Sequence, residues 1–92
     1  MSTLSIRRVH ALGAADLHER VDRAARKITA RFGARCTWDG DVLRIEHSSV
    51  TGTVTLGPRD ITVDAELGFP LAMFRGRAES ELGRILDKEL GA

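Results

Sequence analysis

Apolar and polar residues alternate through the middle of the chain with a period of two, which predicts β-strands with one apolar face. Leu43 and Ile45 alternate with charged residues, and further along three threonines separate Val50, Gly52, Val54 and Leu56. The predicted strands cover residues 35–38, 42–47, 50–56 and 61–67. Short turns separate them, among which Asp39-Gly40 is a strong hairpin signal. Strands joined in this way predict an antiparallel meander.

Two segments instead repeat their apolar residues every three or four positions, which predicts amphipathic helices. The first covers residues 14–32, and its apolar stripe contains Leu17, Val21, Ala24, Ala25, Ile28 and Phe32. Gly33 follows as a suitable C-terminal cap. Gly68-Phe69-Pro70 ends the last strand, and a second helix is predicted over 71–90. Its stripe contains Leu71, Phe74, Ala78, Leu82, Ile85, Leu86 and Leu90, with Gly76 and Gly83 as interruptions that permit close packing or a bend.

Residues 4–9 predict a short first strand, in which Leu4 and Ile6 share a face and Arg8 interrupts the pattern. The predicted fold is α+β, an antiparallel β-meander with two helices packed on one face, in the order β-α-β-β-β-β-α. One domain over residues 3–90 accounts for the chain. The pattern leaves open whether the first strand pairs beside the last strand or at the other edge.

Composition excludes several classes of function without selecting one. The 92 residues include 14 basic and 13 acidic side chains, and a net charge of +1 does not favour nucleic-acid binding. The single cysteine cannot form an internal disulfide. No apolar run resembles a signal peptide or a membrane span, so the expected location is the cytoplasm.

Candidate chemical groups are few and scattered. His10, His18 and His47 lie in different elements without metal-ligand spacing, so no metal, cofactor or catalytic set is predicted. We expect a capping or hinge role for His10, since it lies between the first strand and the first helix. Cys36 is expected to be an inert apolar residue beside Trp38. Nucleophilic chemistry at Cys36 would need a base, and His47 across the hairpin is the alternative left open.

Two other features have a structural and a functional interpretation. Asp39 and Asp41 flank Gly40 and are explained by the turn, although paired carboxylates also suit a cation. Residues 67–74 form the most apolar stretch of the chain. Phe69, Met73 and Phe74 cannot all lie under one narrow stripe, so we expect at least one on the surface. These three residues are the candidate contacts for a partner or a lipid-like surface.

The order of several short segments resembles a known family. They are His10-Ala-Leu-Gly13, Trp38-Asp-Gly-Asp41, Val50-Thr-Gly52 and Leu67-Gly-Phe-Pro-Leu71 running into Phe74-Arg-Gly-Arg77. Together they resemble the putative polyhydroxyalkanoic acid system proteins over nearly the whole chain. The resemblance implies a role in making, packaging or regulating storage-polyester granules, and it carries over no catalytic residue. The predicted strands distinguish the chain from phasins, the long helical proteins that usually coat such granules.

Several functions therefore compete. The first is a non-enzymatic accessory protein of polyhydroxyalkanoate metabolism that binds a granule surface or a granule-associated protein. The alternative is a small module that binds an acyl or lipid-like ligand between the sheet and the C-terminal helix, although so small a domain is expected to have little spare interior. An enzyme is disfavoured, because only Cys36 and His10 could supply polar groups on the apolar side.

A homodimer is a separate prediction about the assembly. It would pair either an exposed edge strand or the polar sheet face that carries Thr51, Thr53, Thr55 and Thr62.

Overall fold

The computed structural model describes residues 2–69 and 71–90, which form an antiparallel five-stranded sheet and two α-helices. The elements are β1 (Ser2–Val9), α1 (Ala14–Phe32), β2 (Arg35–Asp39), β3 (Val42–His47), β4 (Val50–Leu56), β5 (Asp60–Leu67), a 3₁₀ segment (Leu71–Phe74) and α2 (Arg75–Glu89). This confirms the predicted α+β class and element order. Pro70 and the side chains of Ser2, Ile28, Phe32 and Leu71 lie outside the described part of the chain.

The strand order β1-β5-β4-β3-β2 answers the question that the sequence left open. β1 pairs antiparallel with β5, so that Leu4 lies opposite Ala65 and Ile6 lies opposite Val63. β1 and β2 are therefore the two edges of the sheet. Because α1 connects them, it must pass over one face on its way from one edge to the other.

That face holds the core. Its buried side chains come from four strands and both helices: Leu4, Ile6, Leu43, Val54, Ile61, Val63, Leu17, Val21, Ala25 and Leu86. Ile61 and Leu17 are almost completely removed from solvent. The opposite face carries the threonines of β4 and the carboxylates of β5, which alternate with the core residues as the period of two requires.

Two glycines adopt the backbone conformation that their positions need. Gly33 follows α1 with a φ of 70°, and its N–H donates to Thr29 O as a left-handed cap. Gly40 has a φ of 61°. Since Asp39 pairs with Val42, the hairpin loop consists of Gly40 and Asp41, with positive φ at the first of the two.

The second helix differs from its prediction in form and in the residues it buries. Residues 71–74 form a 3₁₀ turn before α2 begins at Arg75. Phe74 and Ile85 are 53% and 39% exposed, so the predicted stripe is wrong at both positions. The reason is that Phe74 belongs to the 3₁₀ turn and that α2 lies along the edge strand β1, where Gly83 and Leu86 are its buried residues.

Arg8 explains both the interruption in β1 and a glycine in α2. Its partner Ile61 is on the core face, so Arg8 points towards the helices. The guanidinium meets Asp87 of α2 at 3.1 Å. A Cβ atom at Gly83 would lie 2.8 Å from Arg8 Nη2, whereas one at Gly76 would meet nothing within 4 Å. Gly83 therefore leaves room for the arginine.

Candidate functional site

Three large apolar side chains lie exposed where β5 leads into α2. Phe69, Met73 and Phe74 are 80%, 71% and 53% exposed, and we call them the apolar patch. The backbone that carries them is held in place, since Gly68 N–H donates to Ser49 O and Ala72 N–H donates to Gly68 O. Hydrogen bonds therefore fix the backbone at Gly68 and Ala72, which are the neighbours of Phe69 and Met73.

Cations adjoin the apolar patch on its C-terminal side. Arg75 and Arg77 are exposed in the first turn of α2. Arg75 Nε donates to Thr3 O at 2.6 Å, which ties the beginning of α2 to the edge of the sheet. A group of apolar side chains next to arginines is typical of surfaces that contact an amphipathic or anionic interface.

A second feature lies between the sheet and the helices. A cavity of about 200 Å³ opens there, and we call it the apolar cleft. Its floor includes Ile45, Val50, Gly52 and Ala65, and its walls include Ala24 of α1 and Leu82 and Ile85 of α2. This is a correction to the expectation that so small a domain has little spare interior.

Burial along the strands shows which end of the apolar cleft is closed. Leu43, Val54 and Ile61, near the β2–β3 and β4–β5 turns, are buried. Towards the other ends of these strands, Ile45, Val50 and Ala65 are only half-buried although they lie on the core face. The cleft therefore opens at the end of the sheet where Val50 pairs with Leu67, one residue before the backbone of Gly68 and the apolar patch.

The positions of the helices explain this opening. At the open end, Cys36 of β2 contacts α1 and Thr3 of β1 contacts α2, so the helices lie over opposite edges. Four strand spacings separate these edges, about 19 Å, whereas packed helices lie about 8–10 Å apart. Near the C-terminal end of α2 the helices meet, where Arg20 Nη1 donates to Glu89 O at 3.0 Å.

His10 is a buried connector rather than part of a reactive cluster. Its Nε2 lies 3.0 Å from Gly57 O, and Leu12 N–H donates to Nδ1 at 3.1 Å. These partners assign the proton to Nε2. The ring thus joins the loop before α1 to the β4–β5 turn, and it does not cap α1, whose N-cap Gly13 has no side-chain hydrogen bond.

His18, Asp22 and Trp38 form a cluster between α1 and β2. The His18 and Trp38 rings stack with centroids 3.8 Å apart. Trp38 Nε1–H donates to Asp22 Oδ1 at 3.0 Å. This hydrogen bond lowers the pKa of Asp22, partial desolvation opposes the change, and Arg26 adds to the lowering. The cluster anchors α1 to the edge of the sheet.

The remaining polar candidates are not brought together by the fold. Cys36 is half-buried, accepts from Thr29 Oγ1 at 3.2 Å and lies opposite Ile45, while the His47 ring contacts Ser48. Asp39 has Arg44 as a distant ion partner at 3.9 Å. Within residues 2–69 and 71–90, no group of three or more histidine, cysteine or carboxylate side chains could hold a metal ion. No helix in these same ranges is long and apolar enough to cross a membrane.

The sequence predicted at least one exposed residue among the three of the apolar patch, and all three are exposed. It also suggested a ligand site between the sheet and the C-terminal helix, but it underestimated the space there. The available signal was the presence of small residues at inward positions, since Gly52 pairs with Ala65 on the floor and Ala24 and Ala25 face them from α1. Each of these residues is an apolar position in the sequence pattern. The pattern does not predict the volume that small side chains leave unfilled.

Comparison with known proteins gives one match. A family model described as a putative polyhydroxyalkanoic acid system protein matches residues 4–90. No curated protein matches the chain. No solved structure matches it either.

Proposed function

Because the chain belongs to the family of putative polyhydroxyalkanoic acid system proteins, we propose that it is a non-enzymatic accessory protein that binds the surface of storage-polyester granules. The family description links the chain to the polyhydroxyalkanoate system. The observation that supports surface binding is the apolar patch, in which Phe69, Met73 and Phe74 are all more than half exposed. A polyester surface is an apolar phase to which such side chains transfer favourably.

The size of the patch makes the proposal energetically reasonable. Complete burial of one large apolar side chain contributes about 1.5–3 kcal/mol. Burial of three such side chains offsets part of the entropic cost of binding. Arg75 and Arg77 lie beside the patch and suit an interface that also carries negative charge. A granule-associated protein with an apolar surface is the competing partner.

The non-enzymatic part of the proposal is supported by what the candidate reactive groups contact. His10 bonds to the backbone of Gly57 and Leu12, and Cys36 contacts Thr29. Each of these contacts has a structural explanation. A catalytic role would need a second polar group aimed at the same point in space.

The test is the location of a fluorescent fusion in cells that contain granules. The native chain is expected to form rings around granules, and the triple variant Phe69→Ser, Met73→Gln and Phe74→Ser is expected to be diffuse. Val9→Thr is the matched control, because Val9 is also an exposed apolar residue, at 73%, and lies at the end of β1 that is far from the apolar patch. Circular dichroism verifies that all variants are folded.

Two results would contradict the proposal. A native fusion that stays diffuse in granule-filled cells argues against binding in any form. If rings depend on the patch in cells but purified protein does not bind protein-free polyester particles, the partner is a granule protein instead of the polymer surface.

The apolar cleft supports a second candidate function, a module that binds a small hydrophobic ligand. A cavity of about 200 Å³ is larger than an engineered apolar cavity of about 150 Å³ that takes up benzene. Native mass spectrometry of freshly purified protein tests this candidate. A mass increase that disappears on denaturation supports it, and bare masses alone count against it.

A further inference from the structure

We propose that the apolar cleft holds one unbranched acyl chain of about eight carbons, with its carboxyl group in water at the Val50 end. This inference rests on the second candidate function and names its ligand class. It does not depend on granule binding through the apolar patch. The shape, size and chemistry of the cleft each restrict the ligand.

The chemistry of the cleft excludes a polar ligand body. The side chains that form its floor are aliphatic, its walls contribute alanine, leucine and isoleucine, and Arg20 and Glu89 border it where the two helices meet. The sheet strands bond their own N–H and C=O groups to each other, as in the register of Ile45 with Gly52. A buried hydroxyl or amide of a ligand would thus lose its water without gaining a partner.

The volume sets the number of carbon atoms. If an apolar cavity of about 150 Å³ accepts the six carbons of benzene, one of about 200 Å³ accepts about eight. The length sets the shape. The cleft follows β4 from Val50 to Val54, four residues or about 13 Å. A ligand of about eight carbons contacts more of that length as an extended chain than as a compact ring system.

Gly52 accounts for the narrow floor on which the chain lies. A Cβ atom there would lie 2.9 Å from the backbone oxygen of Asp64 and 3.4 Å from Ala65. Any side chain at this position would push the strands apart, so the floor stays low at the centre of the sheet. Ala24 faces this region from α1 and is half-buried at the side of the cleft.

The opening restricts the position of the head group. Among the residues that line the cleft, Ile45, Val50 and Ala65 are half-buried towards the Val50 end, whereas Leu43, Val54 and Ile61 are buried at the other end. A chain with one polar end can therefore enter methyl end first and leave its carboxylate in water. This arrangement predicts selectivity for chain length and indifference to the chemistry of the head group.

The experiment is a titration of the full chain with straight-chain carboxylates of four to twelve carbons, each below its micelle concentration, followed by NMR of the methyl groups. Each added methylene is expected to tighten binding about fourfold. The gain should stop near eight carbons, when the cleft is full. The shifted methyl signals should come from Val50, Leu82 and Ile85.

Two variants of α1 locate the binding. Ala24→Leu adds three carbons to the wall, so the preferred chain should shorten by about three carbons while the fold stays intact. Ala30→Leu is the matched control, since Ala30 is exposed on the same helix outside the cleft. It should leave the length preference unchanged.

Each other outcome overturns the inference in a recognisable way. If adamantane carboxylate binds as tightly as octanoate, the cleft takes a hydrophobic ligand of another class. If affinity rises without a limit and the triple variant of the apolar patch abolishes it, the chains bind at the patch. If none of the carboxylates binds, the inference fails, whereas the location of the granule fusion still decides the proposed function separately.

Discussion

His10 shows how one buried polar side chain can stabilise a junction between distant parts of the chain. Its ring has one partner in the β4–β5 turn, 47 residues away along the chain. The other partner is in the loop before α1, two residues away. A buried hydrogen-bonding group is costly only when its partner is removed. The position of His10 therefore predicts an effect on the stability of the fold and does not indicate a chemical role for the ring.

We expect His10→Ala to lower the free energy of unfolding by about 1–3 kcal/mol, because Gly57 O and Leu12 N–H lose their partner in a buried place. Urea denaturation measures this change. His47→Ala is the control, since His47 is exposed, and it should stay within about 0.5 kcal/mol of the native chain. Equal effects of the two substitutions would show that the His10 ring is not a structural connector.

Asp22 makes a prediction about pH at the same scale. Its pKa is lowered chiefly by the hydrogen bond from Trp38. A lowered pKa in the folded state stabilises the fold above the ordinary value of about 3.8, and this stabilisation is lost as the pH falls through the lowered value.

Trp38→Phe is expected to raise the pKa of Asp22 towards its ordinary value, because phenylalanine has no N–H to donate. NMR titration of the side-chain carboxyl carbon measures it directly. Arg26→Gln should raise the same pKa as well, because it removes the positive charge that forms an ion pair with the Asp22 carboxylate. A pKa that is unchanged in the phenylalanine variant would refute the assigned cause.

At the scale of elements, the two glycines of α2 have opposite explanations. Gly83 is buried against the Arg8 guanidinium, and Gly76 is exposed with open space around it. The Arg8–Asp87 pair is half-exposed and contributes little by itself. A methyl group at Gly83 would meet the guanidinium of Arg8, and no backbone atom of β1 lies within 4 Å of it.

Gly76→Ala should therefore raise the free energy of unfolding by about 0.5–1 kcal/mol through helix propensity alone. Gly83→Ala should raise the free energy of unfolding clearly less, because the added methyl group displaces Arg8 from Asp87. Thermal or urea unfolding of the two variants compares them on the same helix. If the two substitutions raise the free energy of unfolding equally, Arg8 moves aside without cost, and its contact with Gly83 has no energetic role.

At the scale of the whole molecule, the two edges of the sheet differ. Along β1, Thr3 O accepts from Arg75 and Arg7 O accepts from the Arg8 side chain. These arginines occupy carbonyls that another strand would otherwise use. The homodimer stays a prediction, and β2 is the edge at which strand pairing would be expected.

Arg75→Ala should promote self-association, because Thr3 O becomes available at the β1 edge. One hydrogen bond of about 1 kcal/mol corresponds to about a fivefold change in the association constant. Light scattering over a range of concentrations measures it, with Arg77→Ala as the control in the same turn of α2. No difference between the variants would mean that Arg75 does not protect the edge. A native chain with a concentration-independent monomer mass would rule out the homodimer.

The sequence by itself determined the elements and their faces. The bounds of α1, the cap at Gly33 and the apolar face of each strand depend on residues that are neighbours along the chain. The surface position of at least one patch residue also followed from local crowding, because one narrow stripe cannot cover Phe69, Met73 and Phe74. Local periodicity carries this information directly.

Only the tertiary structure decided where these elements lie relative to each other. The pairing of Leu4 with Ala65 joins residues that are 61 positions apart along the chain, and no local pattern encodes that choice. With β1 and β2 at opposite edges, the helices that lie over these edges separate at the Val50 end and leave a cleft of about 200 Å³. The cleft is the volume left between the sheet and the two helices. It therefore depends on long-range packing and is a property of no single segment.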